Sequence, residues 1–152
     1  MNIVLYEPEI PGNTGNIARS CVATESTLHL VGRLGFSLTD KYLKRAGLDY
    51  WPHLQIKIHD DWDRFLKTVA DPQRIFFYEK DAPKNFWDIQ HQSDDYLVFG
   101  AETRGFPEFL QQRYANQFYR IPMSGPVRSL NLASTVAVGL YEAIRQLSTV
   151  KR

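Results

Sequence analysis

The segment from Phe118 to Arg145 reads FYRIPMSGPVRSLNLASTVAVGLYEAIR and admits few arrangements. Its apolar start predicts a short buried strand over Phe118 to Ile121. Pro122, Gly125 and Pro126 then forbid regular structure, and a long helix follows, opening on Ser129 and Asn131. A loop pinned between a buried strand and a helix N-terminus presents unpaired N–H groups beside an apolar platform, which is a place to hold a small polar ligand. The helix carries the small residues Ala133, Ser134, Ala137 and Gly139. Small side chains let a second backbone come close, which suits a tight turn round a ligand, a crowded core or a subunit interface.

Upstream, apolar runs alternate with helical patterns. Asn2 to Tyr6, Thr27 to Val31, Gln55 to Ile58, Arg74 to Tyr78 and Tyr96 to Phe99 read as strands. RIFFY at Arg74 to Tyr78 is almost continuously apolar, as in a sheet covered on both faces. After the first strand, Pro8, Pro11, Gly12 and Gly15 delay a helix until Asn13 or Thr14, either of which would cap it. Ile17 and Cys21 share its buried face, while Asn16 and Arg19, three apart, point together toward whatever lies over the strand end. His29 is expected to be a core or edge histidine. Thr39 would cap a short helix through Ala46, Asp60 to Val69 shows a helical apolar face, and a short helix is expected around Asn85 to Ile89. These strands and helices make a single α/β domain over residues 1–152, with a mainly parallel sheet covered by helices. Ligands in such sheets collect beyond the carboxyl ends of the strands. Three loops qualify: Glu7 to Gly15, Gly100 to Gly105, and Pro122 to Ser129.

Composition narrows the classes further. Among 152 residues, 18 Lys plus Arg face 17 Asp plus Glu, so any nucleic-acid contact must come from local clusters. Lys41, Lys44 and Arg45 form a compact positive patch, by default a solvated face; it becomes a phosphate-contact site only if Arg19 and Arg33 lie on the same side of the fold. One cysteine, Cys21, excludes an internal disulfide, and four scattered histidines offer no metal-ligand spacing, so no metal is expected. There is neither a signal-peptide pattern nor a run of roughly 20 apolar residues, so a cytoplasmic location and no membrane contact are expected.

The usual nucleotide signatures are absent: no GxGxxG follows the first strand, and no GxxxxGK[ST] occurs. Ser129 has no histidine base near it in sequence and reads better as a cap or a ligand contact than as a nucleophile. What remains is a site lined by backbone groups with Arg19, Glu102, Ser129 and Asn131 converging on it. Such a site suits group transfer in which a cofactor supplies the reactive atom and the protein supplies position and electrostatics; methyl transfer to a hydroxyl is one case.

Three motifs carry a resemblance: PGNTGNIARSC from Pro11 to Cys21, VFGAETRGFP from Val98 to Pro107, and IPMSGPVRSLNLASTVAV from Ile121 to Val138. In this order and spacing they resemble the SPOUT superfamily of knotted methyltransferases, over essentially the whole chain. RAGLDYW, Arg45 to Trp51, resembles the branch of bacterial tRNA (cytidine/uridine-34)-2'-O-methyltransferases, which act on the wobble nucleotide of leucine tRNAs.

The resemblance implies a deep C-terminal trefoil knot over about residues 74–147, which pattern alone would not predict. It implies S-adenosyl-L-methionine as cofactor, held by Tyr78, Phe99, Gly100, Glu102 and Gly105 together with Ile121, Pro122, Met123, Ser129, Leu130, Asn131 and Ala133. Arg19 matches the catalytic arginine, with Asn16, Glu102 and Ser129 beside it. A guanidinium has no acceptor, so orienting a phosphate or stabilising charge on the ribose oxygen is an easier task for it than accepting a proton. A homodimer is implied, with Tyr141 across its interface. RNA contacts would fall to Arg19, Arg33, Lys41, Lys44, Arg45 and Arg128, with no appended RNA-binding domain. Glu79, in YEKDAP, stands where many relatives place a small hydroxyl residue. The competing readings are methylation of another tRNA or rRNA nucleotide, and an RNA-binding module on the same fold without turnover.

Overall fold

The structure, a computed structural model, describes residues 1–39, 41, 43 and 50–150. Seven strands among these residues form one sheet: β1 (Asn2–Tyr6), β2 (Thr27–Val31), β3 (Ile56–His59), β4 (Ile75–Tyr78), β5 (Lys84–Asn85), β6 (Tyr96–Phe99) and β7 (Phe118–Arg120). Their order is β3-β2-β1-β6-β4-β7-β5, and each neighbouring pair runs parallel.

Alternation along the strands divides the core in two. Ile3, Leu5, Leu28, Leu30, Phe76, Tyr78, Leu97 and Phe99 face one side. There they meet Ile17, Ala18 and Cys21 of α1 (Pro11–Ala23), as well as Val136 and Leu140 near the start of the C-terminal helix. Val4, Val31, Ile75, Phe77 and Val98 face the other side. They meet Trp62 and Phe65 of α2 (Trp62–Leu66) and Leu110 of α3 (Glu108–Arg113). The C-terminal helix, α4 (Leu132–Val150), packs beside α1 on the first face. No helix among the described residues is long and apolar enough to cross a membrane.

Several local expectations are corrected. Helix α1 begins at Pro11, ahead of Asn13 and Thr14, both of which are buried inside it. A proline fits the first helical position because its missing N–H would have no partner there. Asn131 is the cap of α4 rather than its first turn: its Oδ1 accepts from the N–H groups of Ala133 and Ser134 at 2.9 and 3.4 Å, and Ser129 lies outside the helix. The pattern from Asp60 to Val69 yields a helix only over Trp62–Leu66, because Asp61 takes the cap and accepts from Arg64 N–H. Around Asn85 to Ile89 there is no α-helix but the two-residue edge strand β5 followed by a single 3-10 turn over Phe86–Asp88. His29 is buried, as expected, and finds a partner 30 residues on, His59. The helix expected from Thr39 through Ala46 falls largely outside the described residues.

Candidate active site

Loops leaving the carboxyl ends of β1, β4, β6 and β7 surround a cavity of about 490 Å3. It lies beyond the carboxyl ends of the neighbouring strands β6, β4 and β7, with Ile10 and Asn13 at its edge, the usual end for a ligand in an open α/β sheet. Phe99, Ile121, Met123 and Leu130 give it apolar walls; Asn13, Glu79, Glu102, Thr103 and Thr135 add polar groups.

The loop after β6 folds back on itself. Ala101 N–H donates to Gly105 O at 3.2 Å, and Gly105 N–H donates to Ala101 O at 2.8 Å. A Cβ on Gly100 would stand 2.7 Å from the Gly105 carbonyl carbon, so only glycine lets the two ends of the turn meet. Gly105 has φ +62°, a conformation glycine adopts without strain.

This turn is tied to the start of α1. Ile10 caps α1 without a side-chain hydrogen bond. In its place the Glu102 carboxylate reaches across, accepting from Glu9 N–H at 2.7 Å, Ile10 N–H at 3.1 Å and Asn13 Nδ2 at 3.3 Å. Asn13 passes the connection on, because its Oδ1 accepts from Asn131 Nδ2 at 2.9 Å. Asn131 in turn caps α4, so one chain of hydrogen bonds joins the loops after β1, β6 and β7. In the other direction Glu9 accepts from Thr103 N–H and hydroxyl, and from Arg104 Nε at 3.1 Å. The Thr103 hydroxyl, then its N–H, then Arg104 hold the Glu9 carboxyl below the usual carboxylate range.

The floor is aromatic. Tyr78 stacks on Phe99 with centroids 4.8 Å apart, and burial pushes its hydroxyl pKa upward. Helix α4 presses on the same ring: a Cβ on Gly139 would stand 3.0 Å from two of its carbons. Close packing is therefore what the small residue at Gly139 provides.

Of the residues expected to hold a ligand, Tyr78, Phe99, Gly100, Glu102 and Gly105 line the cavity, as do Ile121, Met123, Ser129, Leu130 and Asn131. Pro122 and Ala133 stand beside the lining rather than in it. Arg19 and Asn16 are exposed on α1 and do not line the cavity. The Arg19 guanidinium lies 5.2 Å from the centre of the Tyr50 ring, and Tyr50 is fixed to α1 by donating to Gly15 O at 2.9 Å. Arg33, Lys41 and Arg128 are exposed; Lys44 and Arg45 lie outside the described residues. Tyr141 is 53% exposed on α4.

Sequence reasoning missed Glu9, Asn13, Thr103 and Lys80. Asn13 had a signal, since an Asn in a Gly/Pro-rich loop draws notice, but it read as a cap. The Glu79 Oε1 accepts from Lys80 N–H at 2.9 Å. Its Oε2 lies 3.3 Å from where a Gly105 Cβ would be.

A sequence profile of the SpoU rRNA Methylase family matches residues 1–141. The chain is 48% identical, over 147 residues, to the tRNA (cytidine(34)-2'-O)-methyltransferase of Burkholderia pseudomallei, covering 95% of this chain and 94% of that protein. A solved structure described as giving structural insights into the 2-OH methylation of C/U34 on tRNA superposes with a TM-score of 0.90 at 46% identity. It covers 97% of this chain and 90% of the other. The AdoMet-bound rRNA methyltransferase of Sinorhizobium meliloti superposes with a TM-score of 0.78 at 26% identity, over 96% of this chain and 56% of that one.

Proposed function

Because the chain belongs to the SpoU rRNA methylase family of the SPOUT superfamily, we propose that it methylates the ribose 2'-hydroxyl of nucleotide 34, the wobble cytidine or modified uridine of tRNA. The cofactor is S-adenosyl-L-methionine, the substrates are leucine tRNAs, and the active form is a cytoplasmic homodimer. The observation that carries this reading is the near-full-length likeness to a protein named for that reaction, with residues of this chain's three motifs lining one cavity. Members of this superfamily carry a trefoil knot, and we place the knotted part here at about residues 74–147.

The cavity fits the cofactor on chemical grounds. Its volume falls in the range of small-molecule sites, roughly 300–1,000 Å3. Its walls are apolar on the Phe99, Ile121 and Leu130 side, where a purine would pack, and they also carry carboxylate, amide and hydroxyl groups suited to an amino acid and a ribose. When bound, S-adenosyl-L-methionine supplies an electrophilic methyl group. The chain supplies everything else. Backbone groups of the turns after β4, β6 and β7 would hold the cofactor, with Gly100 and Gly105 shaping the wall and Ser129 and Leu130 facing it.

Arg19 is exposed on α1 and does not line its own protomer's cavity. In a homodimer joined through α1 and α4, with Tyr141 in the interface, Arg19 of one protomer would serve the cavity of the other. There its charge would orient the phosphate next to the target ribose and stabilise negative charge developing on the 2'-oxygen. Asn16 is likewise exposed on α1. With a formal net charge of +1, RNA affinity rests on a few phosphate contacts. Those we assign to Arg19, Arg33, Lys41 and Arg128, with Lys44 and Arg45 in the same stretch of sequence as Lys41. The base would be read by stacking and edge contacts in an unpaired loop.

The test is methyl transfer from labelled S-adenosyl-L-methionine into total tRNA lacking wobble ribose methylation, followed by nucleotide-level mapping. Label at ribose 34 of leucine tRNAs is the expected result. Label in ribosomal RNA or at another tRNA position would replace the substrate. Tight cofactor binding with no RNA labelled would favour an RNA-binding module without turnover.

A further inference from the structure

Two glutamates, 93 residues apart in sequence, lock each other's loops. Glu102 accepts the backbone N–H groups of Glu9 and Ile10, at 2.7 and 3.1 Å. Glu9 returns the arrangement: its carboxylate accepts the Thr103 N–H at 2.8 Å, the Thr103 hydroxyl at 2.8 Å and Arg104 Nε at 3.1 Å. Arg104 is held from a second side by Glu7 Oε2 at 3.3 Å. Glu7 itself takes a left-handed conformation, φ +48°, to leave the end of β1. A non-glycine residue is held in that region only when its surroundings over-determine it.

These contacts differ in what they secure. The bonds to Glu102 fasten the start of α1. Those to Glu9 fasten the turn of Thr103 and Arg104, which is the cavity wall itself. The same turn is also tied by Glu102 to the start of α1 and by Arg104 to Glu7, but Thr103 is held by Glu9. Its backbone ladder among the described residues is the Ala101–Gly105 bridge, and Gly105 can take several conformations once that bridge opens. The Arg104 side chain is 63% exposed, while that of Glu9 is 23% exposed, so the anchor is the better-sheltered partner.

We propose that Glu9 is a positioning residue for cofactor binding: through Thr103 and Arg104 it holds the turn after β6 in the shape that closes the cavity. This rests on the reading of that cavity as the S-adenosyl-L-methionine site. Glu9 itself does not line it; Thr103 and Arg104 do. Removing Glu9 leaves the bonds to Glu102 in place, because those use the backbone N–H of residue 9. The Thr103–Arg104 part of the turn, no longer held by Glu9, must then be re-ordered each time the cofactor binds, which weakens binding without touching the reacting atoms.

The experiment compares the full-length chain with Glu9→Ala, Glu9→Gln and Thr103→Val. It measures S-adenosyl-L-methionine and S-adenosyl-L-homocysteine affinity by calorimetry, thermal midpoint, and kcat and KM for methyl transfer. Glu9→Ala is expected to weaken cofactor binding about tenfold, or 1.4 kcal/mol. KM for the cofactor should rise in parallel, with kcat at saturation changed less than about twofold and little change in thermal midpoint. Glu9→Gln keeps an acceptor for Thr103 and is expected to recover most of the affinity. Adding Thr103→Val to Glu9→Ala should cost nothing more, because both act on one contact. Unchanged affinity in Glu9→Ala would overturn the proposal, as would a fall in kcat alone or a loss that only tracks the unfolded fraction. A wild-type chain that bound neither compound would overturn the reading of the cavity as well. Equal binding by wild type and variant would overturn only the role of Glu9.

Discussion

His29 Nδ1 lies 3.0 Å from His59 Nε2, with the two rings stacked 9° from parallel. The neighbours fix the protons. Asn2 Nδ2 donates to the Asp94 and Asp95 carbonyls, so Asn2 Oδ1 faces His29 Nε2, at 3.2 Å, as an acceptor. His29 Nε2 therefore carries its hydrogen, Nδ1 is bare, and His59 Nε2–H donates to it. Protonating His29 would set two N–H groups against each other between β2 and β3.

This arrangement predicts acid sensitivity. Burial first, then His59 and Lys57, push the His29 pKa down to about 3, and burial and Lys57 lower that of His59 too. A base with a depressed folded-state pKa stabilises the fold fully above its unfolded value of about 6.5, and that contribution is lost as pH falls toward 3. For His29 the slope approaches about 1.4 kcal/mol per pH unit within that window. Urea unfolding from pH 7 to pH 4 should show stability falling faster in wild type than in His29→Phe. Parallel curves would mean that the pair carries no proton linkage.

Asn131 allows capping and loop coupling to be separated. Asn131→Ala loses the α4 cap, at about 1 kcal/mol, together with the bond to Asn13. Asn131→Asp retains a good cap but turns a carboxylate oxygen toward Asn13 Oδ1, which is an acceptor because Asn13 Nδ2 is committed to Glu102. The expected pattern is a lower melting temperature for Asn131→Ala and a smaller drop for Asn131→Asp, with cofactor affinity reduced in both. If Asn131→Asp bound cofactor like wild type, the chain from Glu102 through Asn13 would have no part in shaping the cavity.

Gly139 is predicted to resist the usual helix-stabilising change. Alanine gains up to about 1 kcal/mol over glycine within a helix. Here the new Cβ would meet Tyr78 Cε1 and Cζ at 3.0 Å. The ring cannot retreat, since it is buried and stacked on Phe99. Overpacking of this kind costs about 1–3 kcal/mol, so Gly139→Ala should be net destabilising in chemical denaturation. Tyr78→Leu in the same chain should recover part of the loss. A Gly139→Ala protein more stable than wild type would show that α4 can shift outward.

The sheet was legible because its strands are short apolar runs, such as IFFY of β4, bounded by Gly, Pro and Asp. So was the location of the site, since three of the loops around the cavity carry motifs with glycine or proline. What was not legible depends on partners far apart in sequence. Nothing local to Glu9 points to Thr103, and nothing near His29 points to His59. The start of α1 was placed late because Asn13 has the chemistry of a cap, yet its side chain serves Glu102 and Asn131 instead. The helix expected after β4 fails because its residues pair with β7 and then make a single 3-10 turn. Edge pairing of that kind leaves no periodic trace.

Arg19 bears on the chemical step rather than on cofactor binding. It is exposed on α1 and lies outside the cavity lining, so Arg19→Ala should leave cofactor affinity unchanged. Loss of a cation that stabilises developing charge should lower kcat roughly 10²–10³-fold. Arg19→Lys should not restore it, because a lysine cannot offer the planar fork or hold the same place over Tyr50. Co-expression settles which protomer the arginine serves. An Arg19→Ala chain keeps a working cavity, while a Gly100→Val chain, whose turn cannot close, keeps its arginine. If Arg19 acts across the dimer, each homodimer is inactive and the mixed dimer regains one complete site. Recovery of activity in the tandem-affinity-purified mixed dimer is therefore expected. A mixed dimer as inactive as its parents would place Arg19 at its own protomer's cavity, and full activity in Arg19→Ala alone would remove it from the mechanism.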